Sequence, residues 1–333
     1  MPTTMRSFSK INLGLAIGPV RADGFHSLTT LYQTLAAHDL VTVEARPAAA
    51  TRISLTCSDD RVPCDEKNTA FKAVRLALET AGAATEVAIH IEKRLPVQGG
   101  MGAGSANAAA ALLALDWELK AHGMTALCGP ERLRIAAEVG SDVPLFLVGG
   151  AVLGVGRGEE VYPMPDLAPT RCVVALPEVG VSTPQAFKDW DARYGSLTGP
   201  DASGKLNTLS RLLASAYCEP HSSGVFASGA DLAENPLLAL VRTGIENDFE
   251  EAVFPQNPLF GTIKRALAAS DDRDHAAIYA ALSGSGSALF GLYATEAAAE
   301  AAEERLAKMG VRSMRTETLT REEYWKRTSE SAS

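Results

Sequence analysis

Four glycines fall within six consecutive positions, Gly99, Gly100, Gly102 and Gly104, in the run Leu95-Pro-Val-Gln-Gly-Gly-Met-Gly-Ala-Gly-Ser-Ala-Asn107. No helix or strand interior accommodates that density, so the chain must form a loop there. Upstream, Val87, Ile89 and Ile91 alternate with Ala88, His90 and Glu92, which predicts a half-buried strand. Downstream, the spacing predicts a helix over about 106–120, stopped at His122-Gly123. Backbone in such a loop can approach a ligand closely. The free N–H groups and dipole of the following helix favour an anion, which is how nucleotide phosphates are held. Ser105 adds a hydroxyl for a phosphate or for the neighbourhood of Mg²⁺. The plainer reading is a glycine turn with Ser105 as N-cap, but a cap alone does not need four glycines. The run is not a dinucleotide fingerprint, because the third glycine of GxGxxG is missing and Pro96 separates strand from loop. A second near-match, Gly199-Pro-Asp-Ala-Ser-Gly-Lys205, has the GxxxxGK spacing. Leu206 stands where a Ser or Thr must hold the metal and no strand precedes it, so it reads as a decoy.

Around this loop the chain alternates strand and helix patterns. Strands are predicted at 41–44 and 52–57, and helices over 68–81 (ending at Gly82) and 131–139 (ending at Gly140). A stretch rich in Gly, Pro and acidic residues over 157–169 marks a domain boundary, giving domains of 1–165 and 166–333. The second half reads as a strand at 171–176, a helix over 263–269, a strand at 288–293 and a helix over 295–309 capped by Gly310. Residues 195–235 read as a Ser, Gly and Ala-rich insertion around a helix near 206–217, and the tail after Tyr324 as a fraying end. Mixed strands and helices in two units predict α/β and α+β domains.

Composition closes off several functions. The 333 residues carry a net charge of −9, which disfavours nucleic acid as a partner. Five cysteines (57, 64, 128, 172 and 218) without a CxxC pair argue against a disulfide framework or a cysteine zinc site and fit a reducing cytoplasmic setting. The histidines show no ligand spacing. The N-terminus lacks a signal-peptide core. The uncharged runs 143–156 and 95–115 are too short or too rich in glycine and polar residues to span a membrane, so a soluble protein with no membrane partner is expected.

Three further constellations stand out. Gly140-Ser-Asp-Val-Pro144 puts Asp142 where a polar turn meets an apolar run, a place that also suits an Asx turn or cap. Ser9-Lys-Ile-Asn-Leu13 puts Lys10 and Asn12 on one face of an extended segment, followed by Asp23-Gly-Phe-His-Ser27 and Leu31-Tyr-Gln33. Read alone, Lys10 is a surface charge and His26 a surface turn residue. Ser283-Gly-Ser-Gly-Ser287 precedes a strand and can close over phosphates or simply turn.

Taken in order, SKINL, the PxxGGxGxGSxNAA loop and SGSGS resemble the GHMP small-molecule kinase superfamily. RADGFHSLTTLYQ, VPCDEKNTAFKA, GSDVPLFLVGGAVLGVGRGE, STPQAFKD and ENDFE resemble, within it, the branch whose acceptor is a cytidine-diphosphate-linked sugar alcohol of isoprenoid-precursor synthesis. The resemblance implies a two-domain GHMP kinase fold. Its N-terminal α/β ATP-binding domain would contain a left-handed βαβ crossover, against the usual rule, beside a C-terminal ferredoxin-like α+β domain. It implies ATP and Mg²⁺ as cofactors, a small-molecule cytidine-diphosphate substrate, phosphorylation of that substrate's 2-hydroxyl, and a monomer or homodimer. Lys10 and Asp142 match the catalytic pair. Pro96, Val97, Gln98, Gly99, Gly100, Met101, Gly102, Ala103, Gly104, Ser105 and Ala106 match the phosphate loop, with Asn68 and Lys93 at nucleotide-contact positions. Phe25, His26, Tyr32 and Phe187 match the cytosine pocket, with stacking faces and His26 toward the pyrimidine edge. Asn12 and Thr183 fall near the sugar-alcohol and diphosphate end. Gln98, Ala103 and Ala106 depart from the usual Gly/Ser content of the loop, and Phe25 replaces a commoner tyrosine while keeping the aromatic face. The competing readings are another kinase of the superfamily, such as a homoserine kinase, and a catalytically dead nucleotide sensor.

Overall fold

A computed structural model describes residues 2–97, 99–195, 246–269 and 276–329. Gln98, Cys218, the helix expected near 206–217 and the GxxxxGK-like stretch lie outside the described residues.

The first sheet is built on a long antiparallel pair, β1 (Thr3–Val20) and β2 (His26–Pro47). The far edge of β2 is shared: Leu40–Pro47 pairs with β4 (Thr85–Glu92), and Thr30–Gln33 pairs with β5 (Ala151–Val155). β3 (Arg52–Cys57) runs parallel to β4 through α1 (Thr69–Ala81), and β6 (Glu160–Pro163) closes the other end. α1 starts at Asn68, whose side chain accepts the Ala70 N–H, and stops at Gly82 in the left-handed region. Along β4 the burial alternates strictly, with Thr85, Val87, Ile89 and Ile91 inward. They meet α2 (Ala103–Ala121), whose buried alanines 106, 108–111 and 114 let the helix lie close to the sheet. α2 begins three residues before the expected start. Gly102 adopts φ +70° and turns the chain directly into the helix, so Ser105 lies in the first turn and not at the cap. α3 (Gly129–Val139) packs beside α1 and α2.

The second sheet has the order β10 (Arg312–Glu317), β7 (Arg171–Leu176), β9 (Leu289–Tyr293), β8 (Tyr279–Leu282), antiparallel throughout. In chain order this is 4-1-3-2, the ferredoxin-like arrangement. One face is covered by α4 (Thr183–Tyr194), α5 (Phe249–Val253), α6 (Pro258–Ala268) and α7 (Glu296–Lys308). The other face packs on the first sheet, where Ile11, Leu13, Leu31 and Leu35 meet Cys172, Val174, Phe290 and Leu292. This shared core holds β1 in register with the second sheet and so fixes where the Lys10 strand lies.

As far as Ser329 the tail is helical and does not fray. α8 (Arg321–Ser329) docks on β1, with Tyr324 buried and its hydroxyl donating to the Phe146 carbonyl at 2.6 Å. Buried aromatic area plus that hydrogen bond outweighs a polar sequence. No helix among the described residues is long and apolar enough to cross a membrane.

Candidate active site

The loop is anchored before it begins. Asp39 is fully buried, accepts the Arg94 and Leu95 N–H groups at 2.7 and 2.8 Å, and pairs with the Lys93 ammonium. Lys93 thus lies on the wall of the loop cavity with its charge already committed, and Asn68 there is the α1 cap. Lys10 N–H donates to the Met101 carbonyl at 3.0 Å and ties the loop to β1. α2 then points its first-turn amides into a cavity of about 410 Å³ lined by Pro96, Val97 and the residues from Gly99 to Ser105. With Lys93 paired to Asp39, Lys67 is the lining cation without an ion pair, and no carboxylate lines the cavity, among the described residues, so together with the α2 N-terminus its field suits an anion. Lys67, Thr69 and Asn107 are lining residues that sequence reasoning missed.

A second cavity, about 670 Å³, lies between the β1–β2 pair on one side and α4 and the 283–287 loop on the other, and meets the first at Gly100, which lines both. At its inner end β1 presents Lys10 and Asn12 two residues apart on one face. The Lys10 ammonium lies 2.6 Å from Asn12 Oδ1 and 3.3 Å from Asp142 Oδ2. Asn12 is fixed by donating to Thr30 Oγ1 at 2.8 Å. Asp142 sits in the turn between α3 and a single 3₁₀ turn (Pro144–Leu147). Its oxygens go to Lys10 and to Tyr32 Oη at 2.9 Å, and not to a local cap.

Tyr32 therefore sits otherwise than an open stacking face. It is buried, and it reaches Asp142 because Gly154 and Gly158 leave room: a Cβ on Gly158 would stand 2.5 Å from the Tyr32 hydroxyl. Burial and the neighbouring Asp142 charge push the phenol well above its usual range, so it stays a proton donor.

The outer end is aromatic. Phe25 is exposed, with the Arg157 guanidinium 5.1 Å from its ring centre. Phe187 is stacked by His26 at 5.1 Å between centres and 9° between planes, and meets Phe249 edge-on. The start of β2 and α4 bring His26 and Phe187 together, so one Phe187 face is covered by His26 instead of being open. The imidazole nitrogens are engaged too, Nδ1 with the Gly18 carbonyl at 2.9 Å and Nε2 with Asp191 Oδ1 at 3.0 Å. Thr183 Oγ1 lies 2.7 Å from Ser285 Oγ in the third loop. That loop presses on the first, with Ser283 donating to the Gly100 carbonyl at 2.9 Å. Gly284 and Ser285 of the SGSGS loop line this cavity, as do Arg157, Asp191 and Phe249, which sequence reasoning missed as site residues.

All six candidate substrate residues, Asn12, Phe25, His26, Tyr32, Thr183 and Phe187, line the one cavity that also holds Lys10 and Asp142. Comparison with known proteins places the whole chain. The family model for the GHMP kinases N terminal domain matches residues 68–150, and that for the GHMP kinases C terminal domain matches residues 231–312. The 4-diphosphocytidyl-2-C-methyl-D-erythritol kinase of Solibacter usitatus is 36% identical over 289 residues, 87% of this chain and 80% of that protein. The enzyme of the same name from Chlorobium chlorochromatii is 35% identical over 90% of this chain and 92% of its own length. A crystal structure of 4-(cytidine 5'-diphospho)-2C-methyl-D-erythritol kinase, 28% identical, superposes with a TM-score of 0.66 over 95% of this chain and 99% of that one. A homoserine kinase from Cytophaga hutchinsonii gives 0.64 at 19% identity and speaks to the fold alone. The chain belongs to the 4-diphosphocytidyl-2-C-methyl-D-erythritol kinase family of the GHMP kinases.

Proposed function

We propose that this protein transfers the γ-phosphoryl group of ATP to the 2-hydroxyl of 4-diphosphocytidyl-2-C-methyl-D-erythritol. The observation that carries the reading is one cavity with a Lys–Asp–Asn cluster at its inner end and an aromatic group at its outer end, opening at Gly100 onto the glycine loop. A cavity of about 670 Å³ has room for a nucleoside diphosphate linked to a small polyol.

In this reading Asp142 accepts the hydroxyl proton as the new oxygen–phosphorus bond forms and the bond to the ADP oxygen breaks. Lys10 and Tyr32 orient the carboxylate, and Lys10 offsets charge on the developing alkoxide. Asn12 aligns Lys10. The first-turn amides of α2 take the nucleotide phosphates. Mg²⁺ bound with the nucleotide would offset the charge of its phosphates. No group of three His, Cys, Asp or Glu among the described residues is placed for a metal, and Ser105 is the hydroxyl available to an ion that otherwise keeps phosphates and waters.

The polar side chains beside the rings at the outer end include one carboxylate, Asp191, and the donors Arg157 and Lys188. The Asp191 carboxylate accepts only, and His26 Nε2 faces it. Cytosine presents an amino donor there, whereas uracil would set a carbonyl against a carboxylate. Phe25 supplies the free stacking face.

The direct test is ADP release with a panel of acceptors. Rapid release only with the cytidine compound is expected. Equal release with homoserine or mevalonate would assign the site to another kinase of the superfamily.

Tyr32→Phe isolates the phenol. The ring still fits between Gly154 and Gly158 while the donor to Asp142 is gone. kcat is expected to fall roughly 3–30-fold with KM for ATP unchanged, because the carboxylate has lost a donor that orients it. Turnover equal to wild type would remove Tyr32 from this role.

A further inference from the structure

The segment Glu246-Asn-Asp-Phe-Glu250 enters none of the chemistry above, yet it is bonded to both sides of it. Its backbone pairs with β1: Leu15 N–H donates to the Glu246 carbonyl at 3.0 Å, and Asp248 N–H donates to the Leu15 carbonyl at 2.9 Å. The Asp248 carboxylate accepts the Ile17 N–H at 2.8 Å. These bonds tie the segment to the strand that carries Lys10 and Asn12.

Asn247, 2% exposed, faces the other way. Its Nδ2 donates to the carbonyls of Leu282 and Gly284 at 2.8 and 2.7 Å, and its Oδ1 accepts the Phe249 N–H at 3.0 Å. Gly284 is where the third loop meets the chemistry. It adopts φ +58°, and a Cβ there would stand 3.2 Å from Asn12 Oδ1 and 3.6 Å from Lys10 Nζ. Next to it, Ser283 donates to the Gly100 carbonyl. One buried carboxamide thus holds the two carbonyls that bracket Ser283, the residue seated on the phosphate loop.

We propose that Asn247 is a positioning residue for phosphoryl transfer: it holds the 283–287 loop against Gly100 and Lys10 and so sets the geometry at the junction of the two cavities. The inference rests on the kinase reading above. A neutral double donor is the group this place requires. Aspartate has nearly the same shape and keeps the acceptor for Phe249, but turns an oxygen toward two carbonyl oxygens.

Asn247→Asp is expected to lower kcat roughly 10–100-fold while KM for ATP and for the acceptor stays within about threefold, because misplacement by an ångström costs turnover more than binding. Amide exchange should quicken at residues 284–287 and at Gly100, and stay unchanged in α1 and β4. Combined with Ser283→Ala, which cuts the same loop's bond to Gly100, the losses in kcat should not add. If the buried charge unfolds the chain, Asn247→Ser keeps a short acceptor for Phe249 without reaching the carbonyls and is read by the same three measurements. A folded variant with kcat within threefold of wild type, additive losses, or unchanged exchange in the loop overturns the proposal. Wild-type protein inactive on the cytidine compound would instead remove the proposed function, while the exchange comparison still decides the tether.

Discussion

Asp142→Asn lowers kcat by about 10²–10⁴-fold and leaves ATP affinity within a few-fold of wild type. The amide matches the carboxylate in volume but cannot take the hydroxyl proton. It also fits its neighbours badly. Lys10 and Tyr32 both aim donors at this position, and an amide offers one accepting oxygen where the carboxylate offers two. The substitution lies in the acceptor cavity and not in the one lined by the glycine loop, so nucleotide binding measured by calorimetry should persist. Turnover within a few-fold of wild type would take Asp142 out of the mechanism.

Gly100→Ala is expected to cost about 10²-fold or more in kcat/KM for ATP and for the acceptor alike, since a shift of about an ångström suffices for such losses. Two independent facts exclude a side chain here. The backbone sits at φ +74°, and a Cβ would stand 2.3 Å from the Ser283 carbonyl oxygen and 3.0 Å from that of Gly286. Both obstacles are backbone, so the loops must part, and they part where the two cavities join. Gly102 differs in kind: a Cβ there lies 3.1 Å from Lys10 Cε and Cγ and 3.0 Å from Phe146 Cζ. Gly102→Val therefore displaces the lysine as well as crowding the phosphates. Steady-state kinetics with a circular-dichroism check of the fold decide both. Near-normal kcat/KM in folded Gly100→Ala would show that the loops need not touch.

What was legible in the sequence follows from where local patterns coincide with burial. β4 alternates in sequence because one of its faces is covered, and α1 announces both its ends with Asn68 and Gly82. β1 and β2 hide themselves. Lying between α2 and the second sheet, they are buried on both faces over much of their length, so period two disappears and polar residues such as Ser9, Lys10 and Asn12 sit inside. β10 is an edge strand with a polar sequence, and α4 and α8 each bury only two residues, Ala186 and Trp190 in one and Tyr324 and Thr328 in the other, so their apolar contacts were too sparse to read. At the site, the phosphate loop was visible because its glycines are contiguous. The contacts that orient the chemistry were not. Tyr32 and Asp142 are 110 residues apart in sequence, and Thr183 and Ser285 are 102 apart, separations at which no spacing rule operates. His26 was expected to face the base. The fold gives its nitrogens to Gly18 and Asp191 and its ring face to Phe187, which moves discrimination toward the Asp191 carboxylate.

The most direct measurement is turnover of the cytidine acceptor and its uridine analogue by wild-type protein with ATP, with the phosphorylated position mapped by ³¹P and ¹³C magnetic resonance. The account predicts one phosphate on the 2-oxygen and a kcat/KM preference for cytidine of roughly 10²-fold or more, because uracil sets a carbonyl against the Asp191 carboxylate at the aromatic end. Phosphate on another oxygen, or equal turnover of the two compounds, would contradict it.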